Sequence, residues 1–282
     1  MTQSHRCGSI LFQGEGYVRL MSDSLQPLDL FGLDNRVAIV TGASSGLGDR
    51  FARVLHAVGA SVVVTARRAD RLEALAAELN SLRSDSAVVV TADVSLEADR
   101  ERIVNDTLAA YGSVDVVVNN AGVGGQVAIE NEGLDVFRRS MEINVTALWH
   151  LSKLCAPSMI ESGGGSIINI ASMLGHVASS PVKQAHYSAS KGAVVNLTRE
   201  LAVQWARKGI TVNALCPGWF PSEMTDGMDT DESSQQFVKA NTPIPRMGET
   251  HELDGALLLL ASSAGTFITG QSVIVDGGWT AR

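Results

Sequence analysis

The sequence predicts a single α/β domain built on a doubly wound parallel sheet with helices on both faces. Three observations predict it. Seven short runs are rich in Val and Ile and apolar throughout, as strands are when helices cover both faces of a parallel sheet. Helical patterns separate these runs. The ends of several runs carry Gly, Asn, Arg and Ser, and such sheets hold their ligands beyond the carboxyl ends of the strands.

The runs are Val37–Thr41, Ser61–Thr65, Ala87–Ala92, Val114–Val118, Ser166–Ile170, Thr211–Leu215 and Ser272–Val275. After the first, Leu47, Phe51, Leu55 and Val58 fall on one helix face, and Gly59 is placed to end that helix. Leu72, Leu75 and Leu79 repeat the spacing after Asp70, which has the chemistry of an N-cap. Strand–helix alternation repeated in this way means right-handed βαβ units. Residues 1–32 lack this periodicity and carry several Gly, Ser and Gln. They read as an N-terminal extension to a domain spanning 33–282, loosely ordered at least to Leu20. Met21, followed by Ser22, has the look of a start that leads directly into the domain.

Composition narrows the class. The 282 residues fit one domain with a large core, and 45% hydrophobic against 18% charged residues describes a globular chain. A formal charge of −8 argues against a nucleic-acid or anionic-membrane partner. Cys7, Cys155 and Cys216 are an odd set without metal-type spacing, so no metal site and no disulfide is expected, and a reducing, cytoplasmic setting is. No apolar run approaches the length of a membrane span, and the N-terminus lacks a signal-peptide pattern.

The first strand end reads Thr41-Gly42-Ala43-Ser44-Ser45-Gly46-Leu47-Gly48. It follows a strand and opens a helix, the context in which glycines let a pyrophosphate approach the N–H groups of a helix start. Gly42, Ser44, Ser45, Gly46, Leu47 and Gly48 are the candidate contacts; a Gly-rich capping turn without a ligand reads the same way. The second strand end reads Thr65-Ala66-Arg67-Arg68. An acid there would bond the ribose 2′-hydroxyl of NAD and repel a 2′-phosphate. The acid is missing and guanidinium groups replace it, which favours NADP(H) over NAD(H). Arg67 carries most of that reading; Arg68 serves equally well as a solvated loop residue. At the third strand end, Asp93 and Val94 are candidate adenine contacts, although Asp93 also has the chemistry to cap the next helix with Ser95.

Tyr187 and Lys191 stand four apart on a predicted helix and share a face. A free tyrosine ionises near pH ~10, too high for a base at neutral pH, and a neighbouring ammonium is expected to lower that value. Ser172 ends the fifth strand, and Asn144 lies in the helix after Asn119-Asn120-Ala121-Gly122.

Taken together these motifs resemble the short-chain dehydrogenase/reductase family, in its short single-domain branch and most nearly its 3-oxoacyl carrier-protein reductases. TGASSGLG resembles the family's TGxxxGxG turn, Asn119 to Gly122 its NNAG motif and Tyr187 to Lys191 its YxxxK, and Pro217-Gly218 follows the sixth strand as in the family. The resemblance runs from about Leu33 to the C-terminus. It implies a Rossmann-type sheet and an enzyme that moves hydride between NADP(H) and a small-molecule ketone, aldehyde or alcohol. By that resemblance Tyr187 is the acid/base, Ser172 orients and polarises the carbonyl, Lys191 tunes Tyr187 and bonds the nicotinamide ribose, and Asn144 holds a proton-relaying water. Asn144 read by itself is a buried polar residue at a helix kink. The resemblance adds Asn120, Ala121, Gly122, Tyr187, Lys191, Pro217, Gly218, Phe220 and Ser222 to the cofactor contacts. Ser222 stands where the family usually has Thr, in Trp219-Phe220-Pro221-Ser222-Glu223-Met224. A homotetramer is also implied, built on the helices near Leu134–Met159 and Tyr187–Lys208 and on the last strand.

Other readings stay open. A 3-oxoacyl thioester reductase fits the motifs, but the interval from Ser172 to Tyr187 is longer than that group carries. An alcohol or sugar dehydrogenase working oxidatively with NAD(P) fits as well. A non-catalytic cofactor sensor does not explain why Ser172, Tyr187 and Lys191 are all kept. Two segments are expected beside Tyr187: Met173–His186, offering Met173, Leu174 and Val177, and Trp219–Gln236, offering Trp219, Phe220, Met224 and Met228. Their charges are mostly acidic (Glu223, Asp226, Asp229, Asp231, Glu232), so the expected substrate is neutral and moderately apolar. The same apolar groups would equally pack beneath the loop or at a subunit contact.

Overall fold

The computed structural model describes residues 26–228 and 230–281. The expectations for Met1–Leu20 and for Met21 as a start lie outside the described residues. Seven parallel strands form one sheet in the order β3-β2-β1-β4-β5-β6-β7. They are β1 Val37–Thr41, β2 Ser61–Ala66, β3 Ala87–Thr91, β4 Val116–Asn119, β5 Gly165–Ile170, β6 Ile210–Pro217 and β7 Ser272–Val275. Each matches one of the seven apolar runs, with ends shifted by up to two residues. The strand order reverses between β1 and β4, which opens a crevice at the carboxyl ends of the two.

Helices cover both faces. α1 (Gly46–Ala57), α2 (Ala69–Leu82) and α8 (Asp254–Ala261) bury Phe51, Leu55, Leu72, Leu79, Leu257 and Leu260 against one face. On the other, α3 (Glu97–Tyr111), α5 (Ala147–Glu161) and α6 (Ala185–Trp205) bury Ile103, Leu151, Met159 and Leu201. Each such side chain contributes about 1.5–3 kcal/mol by leaving water, so the uniform Val/Ile strands are the energetic reason for a two-sided cover. α4 (Leu134–Met141) and α7 (Glu232–Asn241) complete the described α-helices.

The Leu47–Val58 face packs as expected, and Gly59 ends α1 at φ +111°, where an added Cβ would lie 2.8 Å from the Asp34 nitrogen. Asp70 is not the N-cap of α2. The helix begins at Ala69 with Arg68 in the cap position, and Asp70 sits in the first turn, where its charge opposes the helix dipole's positive end. The long helix after β4 is broken: a π-helical turn, Glu142–Thr146, separates α4 from α5 and contains Asn144. Just before the domain, a short 3₁₀ turn, Pro27–Phe31, is held by the Ser263 hydroxyl donating to the Leu30 carbonyl at 2.8 Å. Leu33 is the first buried core residue among those described.

Candidate active site

A cleft of about 480 Å³ opens beyond the carboxyl ends of the strands. Every candidate catalytic or cofactor residue from the sequence lines it except Gly48 and Asn144. Gly42 and Gly46 turn the chain with φ of +68° and +55°. An added Cβ on Gly42 would lie 2.9 Å from Asn120 Nδ2, and one on Gly48 would collide with the Gly42 carbonyl oxygen. The turn is therefore closed by backbone contact that only glycine permits. Ser45 precedes α1 without capping it, so the first N–H groups of that helix have no side-chain acceptor. An anion seated there would meet donors and the positive end of the helix.

Thr41, at the end of β1, ties this turn to the β4 end. Its hydroxyl accepts from the backbone N–H of Asn120 at 3.0 Å and of Ala121 at 2.9 Å. Asn120 returns a bond from Nδ2 to the Thr41 carbonyl at 2.9 Å. The two glycine-bearing loops are thus tied together through Thr41, a link the motif's sequence alone does not reveal.

At the β2 end the two arginines differ. Arg67 is exposed and makes no hydrogen bond or ion pair with the described residues, although its charge helps hold the Asp93 carboxyl below its ordinary range. Arg68 lies across the turn: Nη2 donates to Ser44 Oγ and Ser45 Oγ, each at 2.8 Å. Its Nη1 reaches Glu223 at 2.6 Å. The reading that placed most of the phosphate recognition on Arg67 had no means to see this, because the contacts join segments far apart in the chain. Asp93 is not the N-cap of α3, a position Leu96 holds without a side-chain bond. It lines the cleft, and its Oδ1 accepts from the backbone and hydroxyl of Ser95 at 2.9 and 2.7 Å, shaping the entry to α3.

At the other end of the cleft Ser172, Tyr187 and Lys191 converge. Ser172 is buried just past β5, and its Oγ accepts from the Leu174 backbone at 3.1 Å. Lys191 is buried, its Nζ donating to the Ile170 carbonyl at 2.7 Å and standing 5.6 Å from the centre of the Tyr187 ring. Burial drives the Lys191 ammonium down to about 8. Burial also raises Tyr187 above the ordinary phenol range, while its hydrogen bond with Ser172 acts the other way. The expected lowering of Tyr187 by its lysine is therefore not what this geometry produces. Desolvation disfavours both charged forms.

Asn144 is buried behind this group. Its Oδ1 accepts from the Val123 N–H at 2.8 Å, and its Nδ2 donates to the Val123 carbonyl and to Ser190 Oγ, each at 2.9 Å. Ser190 Oγ in turn donates to the Tyr187 carbonyl at 2.7 Å. Asn144 is thus a buried polar residue in the π-turn, as its own surroundings led one to expect, and through Ser190 it braces the helix that carries Tyr187. The Ser190 hydroxyl is a link that no local sequence pattern announces.

The substrate-side expectation is met in part. Met173, Leu174, Trp219, Phe220, Met224 and Met228 all line the cleft. Val177 instead packs with Met173, Leu174 and Trp279 beneath it. Phe220 is largely core, pressed under Gly248. Trp219 stands edge-on to Phe237 and to Trp279, with ring centres 6.1 and 5.7 Å apart, so the loop after β6 rests on an aromatic floor.

A family profile described as Enoyl-(Acyl carrier protein) reductase matches residues 42–280. The chain belongs to the short-chain dehydrogenase/reductase family. It is an oxidoreductase that interconverts carbonyl and alcohol groups, as members of this family do. Gluconate 5-dehydrogenase of Gluconobacter oxydans is 36% identical over 257 residues, 89% of this chain and 97% of that protein. A crystal structure of a gluconate 5-dehydrogenase from Burkholderia cenocepacia, in complex with NADP and tartrate, superposes with a TM-score of 0.86 at 34% identity, covering 91% of this chain and all of that one. A 7α-hydroxysteroid dehydrogenase complexed with NADH and 7-oxo glycochenodeoxycholic acid gives 0.85 at 33% identity, covering 90% and 98%. Among the described residues no helix is long and apolar enough to cross a membrane.

Proposed function

We propose that this enzyme exchanges hydride between NADP(H) and a neutral, moderately apolar secondary alcohol or ketone, with Tyr187 as the proton-transferring residue. One observation carries the reading. The Ser172–Tyr187–Lys191 group and the Arg68–Ser44–Ser45 cluster occupy opposite ends of a single cleft. The cleft fits a dinucleotide: a glycine turn with no room for side chains, uncapped helix N–H groups for a pyrophosphate, and cationic and hydroxyl donors for a 2′-phosphate. Gly42, Ser44, Ser45, Gly46 and Leu47, backed by Gly48, would hold the pyrophosphate. Arg68 and Arg67 would take the 2′-phosphate and Asp93 and Val94 the adenine. Asn120, Ala121, Gly122, Tyr187, Lys191, Pro217, Gly218, Phe220 and Ser222 would line the rest of the cofactor's path.

When bound, the nicotinamide supplies or accepts the hydride. Ser172 donates to the substrate oxygen. A phenol held above its ordinary range stays protonated at neutral pH, so Tyr187 keeps a proton to donate as an alkoxide forms. Below about pH 8 the Lys191 ammonium is charged and stabilises the tyrosinate that remains. Asn144 and Ser190 hold α6 in register; the Asn144 amide is already engaged by Val123 and Ser190, which favours a positioning role.

The walls set the substrate class. Met173, Leu174, Trp219, Met224 and Met228 offer apolar contact, and thioether side chains adapt to varied shapes. Glu223 and Asp226 place negative charge nearby and disfavour polyanions. Residues 33–282 form the catalytic unit, with 1–32 as an extension. The enzyme acts in the cytoplasm as a homotetramer. Cys155 and Cys216, free and buried, suit a reducing compartment, and Phe137, Trp149, Val203 and Phe267 leave apolar surface on α4, α5, α6 and beside β7.

The test is kcat/KM with NADPH for a cyclic hydrophobic ketone, a 3-oxoacyl thioester, a sugar-derived keto acid and a sugar phosphate. The hydrophobic ketone is expected to lead. Equal or better use of the sugar phosphate overturns the substrate reading, and a higher kcat/KM with NADH than with NADPH overturns the cofactor reading.

A further inference from the structure

Glu223 occupies an unexpected place. Its carboxylate receives Arg68 Nη1 at 2.6 Å, Arg68 Nη2 at 3.1 Å and Arg71 Nη1 at 3.0 Å. Arg68 holds the Glu223 carboxyl below its ordinary range, with smaller help from Ser45 and Arg71. A guanidinium fork, a second cation and a hydroxyl form the donor set that a phosphate monoester would use. Arg68 is also a group assigned above to the 2′-phosphate, and Arg68, Ser45 and Glu223 all line the cleft.

The geometry points to Glu223 as an internal competitor for the adenosine 2′-phosphate, a carboxylate that sits on the phosphate's own donors and sets how strongly the enzyme prefers NADP(H) to NAD(H). This rests on the NADP reading above. A nucleotide bearing the phosphate must displace the carboxylate from Arg68 or share the fork against like-charge repulsion. A nucleotide with only a 2′-hydroxyl leaves the ion pair in place. The Glu223 side chain is 58% exposed, so it can swing into solvent without opening the core. It stands next to Met224, whose thioether lies beside Gly124 and Tyr187, so release of the carboxylate also bears on the loop that walls the substrate.

The test is titration calorimetry of the full chain with NADP⁺ and with NAD⁺. Neutralising one exposed like charge beside a phosphate is worth a modest factor, so Glu223→Gln is expected to bind NADP⁺ about threefold to tenfold more tightly. NAD⁺ affinity should change by less than about twofold, since its 2′-hydroxyl carries no charge to repel. The gain should shrink as salt is raised. An unchanged or weaker NADP⁺ affinity, or an equal gain for both nucleotides, overturns the inference. Arg68→Ala separates this failure from failure of the cofactor reading. If Arg68→Ala weakens NADP⁺ while Glu223→Gln does nothing, only the competitor role falls; if Arg68→Ala binds NADP⁺ like the wild type, the assignment of Arg68 to the 2′-phosphate falls with it.

Discussion

Lys191 Nζ donates to the carbonyl of Ile170 at 2.7 Å, which ties the α6 lysine to the last residue of β5, two positions before Ser172. The bond sets the spacing of the three reacting side chains. Ser172 is carried by the strand end, Tyr187 and Lys191 by the helix, and this buried contact holds helix to strand. It also explains how an ammonium is tolerated at a site that drives its pKa down. A carbonyl dipole offsets part of what was lost in water.

Tyr187→Phe keeps the ring and removes the hydroxyl. Turnover should fall about 10²–10⁴-fold, the usual worth of positioned acid–base assistance. NADP⁺ affinity measured by calorimetry should stay close to wild type. A Phe variant with full turnover would remove Tyr187 from the mechanism.

Lys191→Met should reveal a pH-dependent difference in stability. The folded-state pKa of Lys191 is lowered to about 8 from an ordinary value of 10.5, so above pH 8 the unfolded chain binds the extra proton. Stability then rises with pH through that window and is least favourable below it. Relative to the Met variant, wild type should gain in urea midpoint as pH climbs from 8 toward 10. Comparing the two chains removes the contribution of Cys155, whose burial raises its thiol and acts in the opposite direction. A constant gap between the two midpoints would contradict the burial argument.

Gly48→Ala would press a methyl onto the Gly42 carbonyl and to within 2.5 Å of Asn120 Nδ2. Overpacking of this kind costs about 1–3 kcal/mol. Tm should drop, by about 2–4 °C per kcal/mol in a domain of this size. Calorimetric NADP⁺ binding should weaken as well, because the distorted turn is the one assigned to the pyrophosphate. A variant with wild-type Tm and affinity would show that the turn has slack the structure does not display.

Val203→Glu tests the assembly. Val203 is 79% exposed on α6, so a charge there costs the isolated protomer little. Buried between protomers, the same charge would be unpaired and expensive. Light scattering at micromolar concentration should report tetramers for wild type and smaller species for the variant. Monomers in both would exclude the tetramer.

The fold and the grouping of the candidate site residues were legible in the sequence because both are written in local terms. Uniform Val/Ile runs such as Val62–Val64 and Val116–Val118 mean burial on both faces, and that demands helices above and below. Strand ends then fix which residues meet at one edge of the sheet, so Gly42, Arg68, Asn120, Ser172 and Pro217 fall around one cleft without any knowledge of side-chain positions. Tertiary structure decided what depends on distance between segments that are remote in the chain. Arg68 and Glu223 are 155 positions apart, and their contact comes from the loop after β6 reaching across the strand ends to the end of β2. The same holds for Asn144 and Ser190, joined across 46 positions, and for Lys191, whose pKa follows burial more than its neighbour Tyr187. Periodicity records which face of an element is apolar. It carries no record of which polar atom on that element finds a partner, and the electrostatics of the site were settled there.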